Sequence, residues 1–203
     1  MTITVTEAGK RFNRDWIFRK TSLQLGAPQH YAITGHNGSG KSTLLQCIAG
    51  SMLLSEGKIH CNWQGQEIAA EKLHQYVSIA APYLELIEEM TALEFLEYHS
   101  RFKPFKPGYH AAHILESIGL SKSANKQIRY FSSGMKQRIK LAQAFYADTP
   151  LLLLDEPCTN LDQQGIELYK ELIANLTQDR LVIIGSNDPI EYESCGETIR
   201  MGV

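Results

Sequence analysis

Residues 35–42 read Gly-His-Asn-Gly-Ser-Gly-Lys-Ser and follow the pattern G-x-x-x-x-G-K-[ST]. The glycines of such a loop let successive backbone N–H groups turn inward toward phosphate oxygens. Lys41 would place a positive charge on the outer phosphates of a nucleotide, and the Ser42 hydroxyl would be a ligand of Mg²⁺. A helix that begins near Lys41 would add its positive N-terminal end. The predicted phosphate site comprises Gly35, Asn37, Gly38, Ser39, Gly40, Lys41, Ser42 and Thr43.

A second group of chemical interest is a pair of carboxylates at the end of an apolar run. Residues 151–154 are four leucines, and Asp155 and Glu156 follow them directly. A buried strand that ends in carboxylates places them in the crevice of an α/β sheet, where ligands bind. We expect Asp155 to hold Mg²⁺, through a coordinating water, and Glu156 to polarise a water that attacks the terminal phosphate. The alternative is a pair of solvated acids at a helix start.

The elements that must position these residues alternate between strands and helices. Apolar or alternating runs predict strands at 2–6, 16–25, 31–34, 57–63, 151–154 and 181–184. Apolar residues at helical spacing predict helices after residue 41 and at 91–102, 109–118 and 163–176. Thr91, with Glu94 three residues later, has the capping-box signature of a helix start. A short tail follows residue 184.

This order of elements predicts an α/β fold with a helical insertion. Strands and helices alternate at both ends of the chain, and the region between them is mainly helical. A strand at 57–63 followed by a turn at Gly65 indicates a small additional β layer. A length of 203 residues suits one domain that carries a small subdomain. We therefore expect a single domain over 1–203, with a helical subdomain at 83–146.

Composition excludes several classes of protein. Hydrophobic residues make up 43% of the chain and charged residues 21%, which argues against a disordered, collagen-like or coiled-coil chain. The net charge of −2 provides no overall field that would attract nucleic acid. The longest apolar stretches are four or five residues, whereas a membrane span needs about 20, and no signal peptide is recognised. Four scattered cysteines without a C-x-x-C pair predict single buried thiols in a reducing cytosol.

Residues 130–138 read Tyr-Phe-Ser-Ser-Gly-Met-Lys-Gln-Arg, and here the chain resembles the nucleotide-binding subunits of ABC transporters. Their signature is L-S-G-G-Q followed by a basic residue, Gln and Arg. Ser132 and Gly134 keep the core of that signature, whereas Ser133 and Met135 depart from it. The following run at 157–162 is similar to the family's D-loop, with Asp162 as its aspartate. The resemblance covers roughly residues 2–200.

The resemblance implies a fold, a cofactor and an assembly. The fold would be a P-loop NTPase core, with a mixed or parallel sheet, flanking helices, a small antiparallel β layer and an inserted helical subdomain. The cofactors would be ATP and Mg²⁺, with Phe12 stacked on the adenine. Two such subunits would face head to tail, as a homodimer or a heterodimer. Ser132, Ser133 and Gly134 would then bind the ATP held by the partner subunit.

Two departures from the family pattern concern catalysis. The family has a Gln between sheet and helical subdomain, but here that position falls near Ala81 or Pro82. The family also has a His after the last core strand, where this chain has Asn187, which cannot carry a charge. With Lys41, Glu156 and Asn187 as catalytic residues, we expect normal binding of Mg-ATP and slow hydrolysis. The alternative is compensation by neighbouring groups such as Ser186 or Tyr83.

The resemblance also implies a separate transmembrane permease subunit, which would dock near residues 82–90. The alternative for the apolar residues of that stretch (Leu84, Leu86 and Ile87) is a place in the core. The protein would be cytoplasmic and peripheral to the cytoplasmic face of the membrane, with no nucleic-acid partner. Two other functions remain open: a soluble ATPase of the same superfamily that is not coupled to transport, and a regulatory subunit that binds ATP without hydrolysing it.

Overall fold

A computed structural model describes residues 1–202, which divide into two compact units. The first unit comprises residues 1–79, 150–156 and 178 onward, and the second comprises residues 80–149 and 157–177. Within residues 1–202, no helix combines the length and the apolar character needed to cross a membrane. The predicted boundaries of a helical subdomain at 83–146 stay a prediction.

The first unit contains a four-stranded antiparallel sheet. Its strands are β1 (Thr2–Phe12), β2 (Asp15–Gly26), β4 (Glu56–Trp63) and β5 (Gln66–Glu67), in the order β2-β1-β4-β5. The first two strands form a hairpin and are longer than the predicted 2–6 and 16–25. The pairing of β1 with β2 shifts register several times after Val5, and these shifts interrupt the alternation of buried and exposed residues in β1. The alternating sequence pattern therefore ends before β1 does.

The strands of the second sheet are β3 (Gln29–Thr34), β6 (Val77–Ala80), β7 (Leu151–Asp155), β8 (Leu181–Gly185) and β9 (Glu197–Arg200). They lie in the order β6-β7-β8-β3-β9. The pairs β7–β8, β8–β3 and β3–β9 are parallel. The short tail expected after residue 184 contains helix α6 (Pro189–Tyr192) and β9, neither of which was predicted. β9 is an edge strand whose residues are mostly exposed, so it carries no apolar run to reveal it.

The core of the first unit lies between its two sheets and helix α1 (Lys41–Ile48). β7 and β8 are buried along their whole length, as expected for central parallel strands covered on both faces. Leu44, Leu45 and Ile48 of α1 are fully buried in contact with this core. The loop before α1 and the ends of β7 and β8 are therefore held on a rigid scaffold.

The second unit is helical. Its helices are α2 (Ala92–Ser100), α3 (Ala111–Ser117), α4 (Ser133–Phe145) and α5 (Gln163–Leu176), with short 3₁₀ turns at Ser121–Ser123 and Ile128–Tyr130. The predicted capping box is present: Thr91 accepts the Glu94 N–H, and the Glu94 carboxylate accepts the Thr91 N–H. A parallel sheet with helices, a small antiparallel sheet and a helical region confirm the predicted fold class.

Candidate functional site

The phosphate loop joins β3 to α1 and is closed by Lys41. The Lys41 side chain is buried, and its Nζ donates hydrogen bonds to the carbonyl oxygens of Gly35 at 2.8 Å and His36 at 3.4 Å. Gly40, with φ 95°, precedes the helix in a left-handed conformation that glycine adopts without strain. No side chain caps the first turn of α1, and that turn contains no acidic residue. Its N–H groups are therefore suited to an anion.

Asp155, the last residue of β7, lies beside this loop. The Ser42 hydroxyl hydrogen-bonds to its carboxylate. The Asp155 side chain is 2% exposed, and its Oδ1 has no hydrogen-bond partner. Burial raises the pKa of Asp155, while the Ser42 hydrogen bond and the charge of Lys41 oppose the rise and the Glu156 carboxylate adds to it. A buried carboxylate with free lone pairs next to a hydroxyl is a donor set that Mg²⁺ takes together with phosphate oxygens.

Gly185, which belongs to none of the predicted motifs, keeps the space at Asp155 open. A Cβ at Gly185 would lie 2.8 Å from Cδ1 of Leu45 and 3.2 Å from Oδ1 of Asp155. Any side chain there would press on the core and enter the space that the carboxylate faces. The only trace of this role in the sequence is a glycine at the end of the apolar run 181–184.

Glu156 follows β7 in an unusual backbone conformation. Its φ is 44°, which costs a residue with a Cβ on the order of 1 kcal/mol. Its N–H donates to the carbonyl oxygen of Gly185 at 3.0 Å, which holds the turn at the end of the strand. Strain of this kind persists where the surroundings enforce it and is concentrated at functional sites.

Asn187 lies at the start of the phosphate loop. Its Oδ1 accepts the N–H of Gly35 at 3.0 Å, and its Nδ2 donates to Oδ1 of Asn37 at 3.2 Å. The loop after β8 therefore contacts the loop after β3, as the parallel pairing of these strands requires. Both ends of the Asn187 amide are engaged with the phosphate loop.

Phe12 ends β1 and is 47% exposed. The Lys10 ammonium lies 5.1 Å from the centroid of this ring and also donates to the carbonyl oxygen of Leu53 at 2.7 Å. Of the remaining loop residues, Ser39 is buried with no partner for its Oγ, and Thr43 is half-buried in the first turn of α1.

The second unit contains the predicted signature. Ser132 is the N-cap of α4, and its Oγ accepts the N–H of Met135 at 3.3 Å. Ser133 and Gly134 form the first turn of the helix. A Cβ at Gly134 would come within 3.0 Å of the carbonyl oxygen of Asn160, so a glycine allows the D-loop backbone to pass close to the helix.

The D-loop is tied to α4 by two side chains that follow the signature. Nε2 of Gln137 donates to the carbonyl oxygen of Pro157 at 2.7 Å, and Nη2 of Arg138 donates to Oδ1 of Asp162 at 3.1 Å. Asp162 is also the N-cap of α5, where it accepts the Gly165 N–H at 2.8 Å. The hydrogen bond from the Gly165 N–H lowers the pKa of Asp162, and the hydrogen bond and positive charge of Arg138 lower it further.

The structure thus gathers the predicted residues into two groups. In the first unit, the phosphate loop, Asp155, Glu156 and Asn187 lie at or just after the carboxyl ends of β3, β7 and β8. In the second unit, the signature and Asp162 line a cavity of about 500 Å³. At the position of the absent Gln, Lys140 Nζ donates to the carbonyl oxygens of Ala81 at 3.4 Å and Pro82 at 2.8 Å.

The chain is similar to known proteins of one family. The family model described as ABC transporter matches residues 18–159. The cytochrome c biogenesis ATP-binding export protein CcmA of Pseudomonas putida GB-1 is 33% identical, over 97% of this chain and 95% of that protein. The lipoprotein-releasing system ATP-binding protein LolD of Acinetobacter baylyi is 31% identical, over 80% of this chain and 75% of that protein.

Solved structures support the fold. The dimeric ATP-binding cassette MJ0796, in a post-hydrolysis state with ADP and phosphate bound, superposes with a TM-score of 0.85. That match covers 98% of this chain and 94% of the MJ0796 chain. The sequence identity is 22%, so the similarity is one of fold. Because the family model spans well over half of the sequence and relatives match nearly its full length, the chain belongs to the ABC transporter family, among its ATP-binding subunits.

Proposed function

We propose that this protein binds Mg-ATP at the phosphate loop and hydrolyses it slowly, driving a separate membrane subunit. The observation that carries the proposal is the group formed by Lys41, Ser42 and Asp155, in which a buried carboxylate oxygen has no partner. Lys41, which holds loop carbonyls, would turn its ammonium to the β- and γ-phosphates. Gly35, Gly38 and the first turn of α1 would supply N–H donors.

Ser42 and Asp155 are the residues that would hold Mg²⁺. Mg²⁺ would neutralise charge on the β- and γ-phosphates when bound. The free Oδ1 of Asp155 and the adjacent hydroxyl fit its preference for oxygen ligands. Asp155 would act directly or through a water, and Gly185 would leave room for either arrangement.

Glu156 would orient and polarise the water that attacks the terminal phosphate. Glu156 directly follows Asp155, and its left-handed backbone conformation turns the chain out of the extended path of β7. Phe12 would stack on the adenine, with the Lys10 ammonium near the same ring. A cation beside an aromatic ring contributes a favourable interaction in its own right.

The signature would act on a second subunit's ATP in a head-to-tail dimer. Ser132 uses its Oγ as an acceptor for the helix cap, so its hydroxyl hydrogen is available to a phosphate. The N-terminal N–H groups at Ser133 and Gly134 add donors, and no acidic residue lies in that turn. Met135 provides no side-chain donor, but these contacts do not need one.

Slow hydrolysis follows from what this chain lacks. Ala81 and Pro82 provide no amide side chain where the family has Gln, and Asn187 is a neutral group where the family has His. A charge-assisted hydrogen bond is roughly twice as strong as a neutral one. The amide of Asn187 is moreover engaged with Gly35 and Asn37. These same departures favour, as a second candidate, a regulatory subunit that binds ATP while a complete partner hydrolyses it.

The membrane partner would dock on the second unit, at a groove of about 320 Å³. Its lining comprises Pro82, Leu84, Glu85, Leu86, Glu88, Lys136 and Lys140. Leu86 is buried as core, whereas Ile87 is 40% exposed and Leu84 half-buried. Lys136 pairs with Glu88 in this lining, which leaves the exposed Glu85 and Ile87 as the groups that would suit an amphipathic helix with a basic rim. The protein would then work at the cytoplasmic face of the membrane.

The test is an assay of ATP binding and hydrolysis with the purified full chain. We expect Mg²⁺-dependent hydrolysis that Glu156→Gln abolishes while ATP binding is retained. Lys41→Ala should lose both, and the exposed Lys72→Ala should lose neither. Hydrolysis equal in Glu156→Gln and the unaltered chain would exclude Glu156 as the base. Binding without any turnover would favour the regulatory subunit.

The partner is tested by affinity purification from gently solubilised membranes. A stoichiometric polytopic membrane protein is expected, and the double variant Glu85→Arg, Ile87→Glu should reduce its recovery. The matched control is Glu97→Arg, an exposed residue outside the groove. Recovery from the soluble fraction alone, with ribosomal or DNA-repair proteins, would contradict a role in transport.

A further inference from the structure

The segment after β8 is fixed by hydrogen bonds on both sides of Asn187. The buried Ser186 donates its N–H to the carbonyl oxygen of Ile33 at 3.1 Å. Its Oγ accepts the N–H of Asp188 at 2.9 Å, and Asp188 in turn accepts the N–H of Ile190 at 3.0 Å. Asn187 is therefore presented to the phosphate loop from a backbone that is itself held in place.

The amide group suits the position chemically. Gly35 offers an N–H and so needs an acceptor, whereas Asn37 offers its Oδ1 and needs a donor. A primary amide provides both at once and in a fixed plane. A protonated imidazole has two donors and no acceptor, so it could not receive the Gly35 N–H.

These contacts fix the peptide groups at the start of the loop. The Gly35 N–H is held by Asn187, and the Gly35 carbonyl oxygen is held by Lys41 at 2.8 Å. Asn37, two residues later, is held by the other end of the Asn187 amide. The first three residues of the phosphate loop are thus anchored from the segment after β8 as well as from α1.

We propose that Asn187 is a positioning residue that holds the start of the phosphate loop through Gly35 and Asn37. Its role is then to shape the site for any nucleotide rather than to recognise the γ-phosphate. The nucleotide part of this inference rests on the proposed function, whereas the contact itself exists without a nucleotide. The two parts are tested separately.

The first test is amide hydrogen exchange of the nucleotide-free, ¹⁵N-labelled chain. Asn187→Ala should accelerate exchange at Gly35 by about 2- to 10-fold, the range set by the net contribution of one hydrogen bond. Asn187→Asp keeps an acceptor and should preserve the protection. Asn175→Ala, the same change at an exposed position of α5, should leave Gly35 unchanged. Unchanged exchange at Gly35 in Asn187→Ala would overturn the proposal.

The second test compares the affinities for ADP and ATP of a monomeric preparation. Asn187→Ala should weaken both by the same factor, about 2- to 10-fold, because both nucleotides use the loop that Asn187 holds. Asn37→Ala should do likewise, and the double variant should lose less than the product of the two effects. A loss confined to ATP would assign Asn187 to the γ-phosphate and refute the positioning role. Failure of the unaltered chain to bind either nucleotide would refute the proposed function and leave the exchange result to decide this inference.

Discussion

Nε2 of the buried Gln137 donates a hydrogen bond of 2.7 Å to the carbonyl oxygen of Pro157. Gln137 lies one turn into the helix that starts at the signature, and Pro157 directly follows Glu156. The helix that begins at the signature therefore holds the carbonyl group of the residue that directly follows Glu156 in the sequence.

Gln137→Leu removes this donor at similar side-chain volume. The Pro157 carbonyl is then buried without a partner, and the free energy of unfolding should fall by about 1–3 kcal/mol. ATP turnover should fall while ATP affinity changes little, because the phosphate loop is not touched. Chemical denaturation and steady-state kinetics measure the two effects. Gln164→Leu, an exposed change on α5, is the control, and equal turnover in the two variants would exclude a role for the Gln137 contact.

Gly185→Ala tests the space in front of Asp155. The added methyl would lie 2.8 Å from Leu45 and 3.2 Å from the Asp155 carboxylate. We expect a loss of about 1–3 kcal/mol in the free energy of unfolding, typical of overpacking, and a marked loss of Mg²⁺-dependent nucleotide binding.

Gly196→Ala is the matched control for this change. The nearest atom to a Cβ at that position is Nε2 of Gln29, at 3.7 Å, which is an ordinary contact. Calorimetry and nucleotide titration of both variants separate crowding at Asp155 from the general effect of replacing a glycine. Mg²⁺-dependent binding as strong in Gly185→Ala as in Gly196→Ala would show that the space is not needed.

Asp155→Asn should stabilise the nucleotide-free protein and abolish Mg²⁺-dependent binding. Burial raises the pKa of Asp155 in the folded chain, so the folded state binds a proton more tightly than the unfolded state. The contribution of this group to stability therefore falls as the pH rises from the ordinary value near 3.8 through the raised value. The Tm advantage of the Asp155→Asn variant over the unaltered chain should accordingly grow with pH. Thermal unfolding between pH 4 and 8 checks this, and a constant difference would contradict it.

His99 should make the second unit sensitive to acid. Its ring stacks between those of Phe95 and Phe105, with both centroids at 6.4 Å. Burial, followed by the charge of Lys103, lowers the pKa of His99 from 6.5 to about 4. The unfolded state then binds the proton more tightly than the folded state. The free energy of unfolding should therefore fall by about 3 kcal/mol in total as the pH drops from 6.5 to about 4.

His99→Phe should remove that loss by keeping an aromatic ring without a titrating nitrogen. Urea denaturation at pH 7 and at pH 4.5 measures the difference for each protein. His74→Gln, at an exposed histidine, should lose as much stability on acidification as the unaltered chain. An equal loss in His99→Phe would show that another group causes the acid sensitivity.

Asn187→His should raise the rate of ATP hydrolysis. A protonated imidazole offers a charged donor where the amide is neutral, and one preorganised donor is worth up to about 10²–10³ in rate. The affinity for ADP should fall in the same variant, because a protonated imidazole offers no acceptor to Gly35. Asn175→His is the control. A turnover equal to that of the unaltered chain would contradict slow hydrolysis caused by the missing His.

The sequence by itself determined the local chemistry. The phosphate loop, the leucine strand ending in Asp155 and Glu156, and the capping box at Thr91 all consist of neighbouring residues, so their spacing identifies them. The helix predicted at 163–176 has these same bounds in the structure because its apolar face repeats at a helical period. The signature and the D-loop are likewise short segments of consecutive residues, so the sequence alone identifies them.

Only the tertiary structure decided which of these segments meet. Asn187 contacts Gly35 across 152 positions of sequence, and Gly185 limits the space at Asp155, because β3, β8 and β7 are neighbours in the sheet. Strand order is set by packing of the whole core, and no local pattern encodes it. The exposed edge strand β9 also lacked a signal, since its backbone pairing with β3 rather than an apolar run defines it.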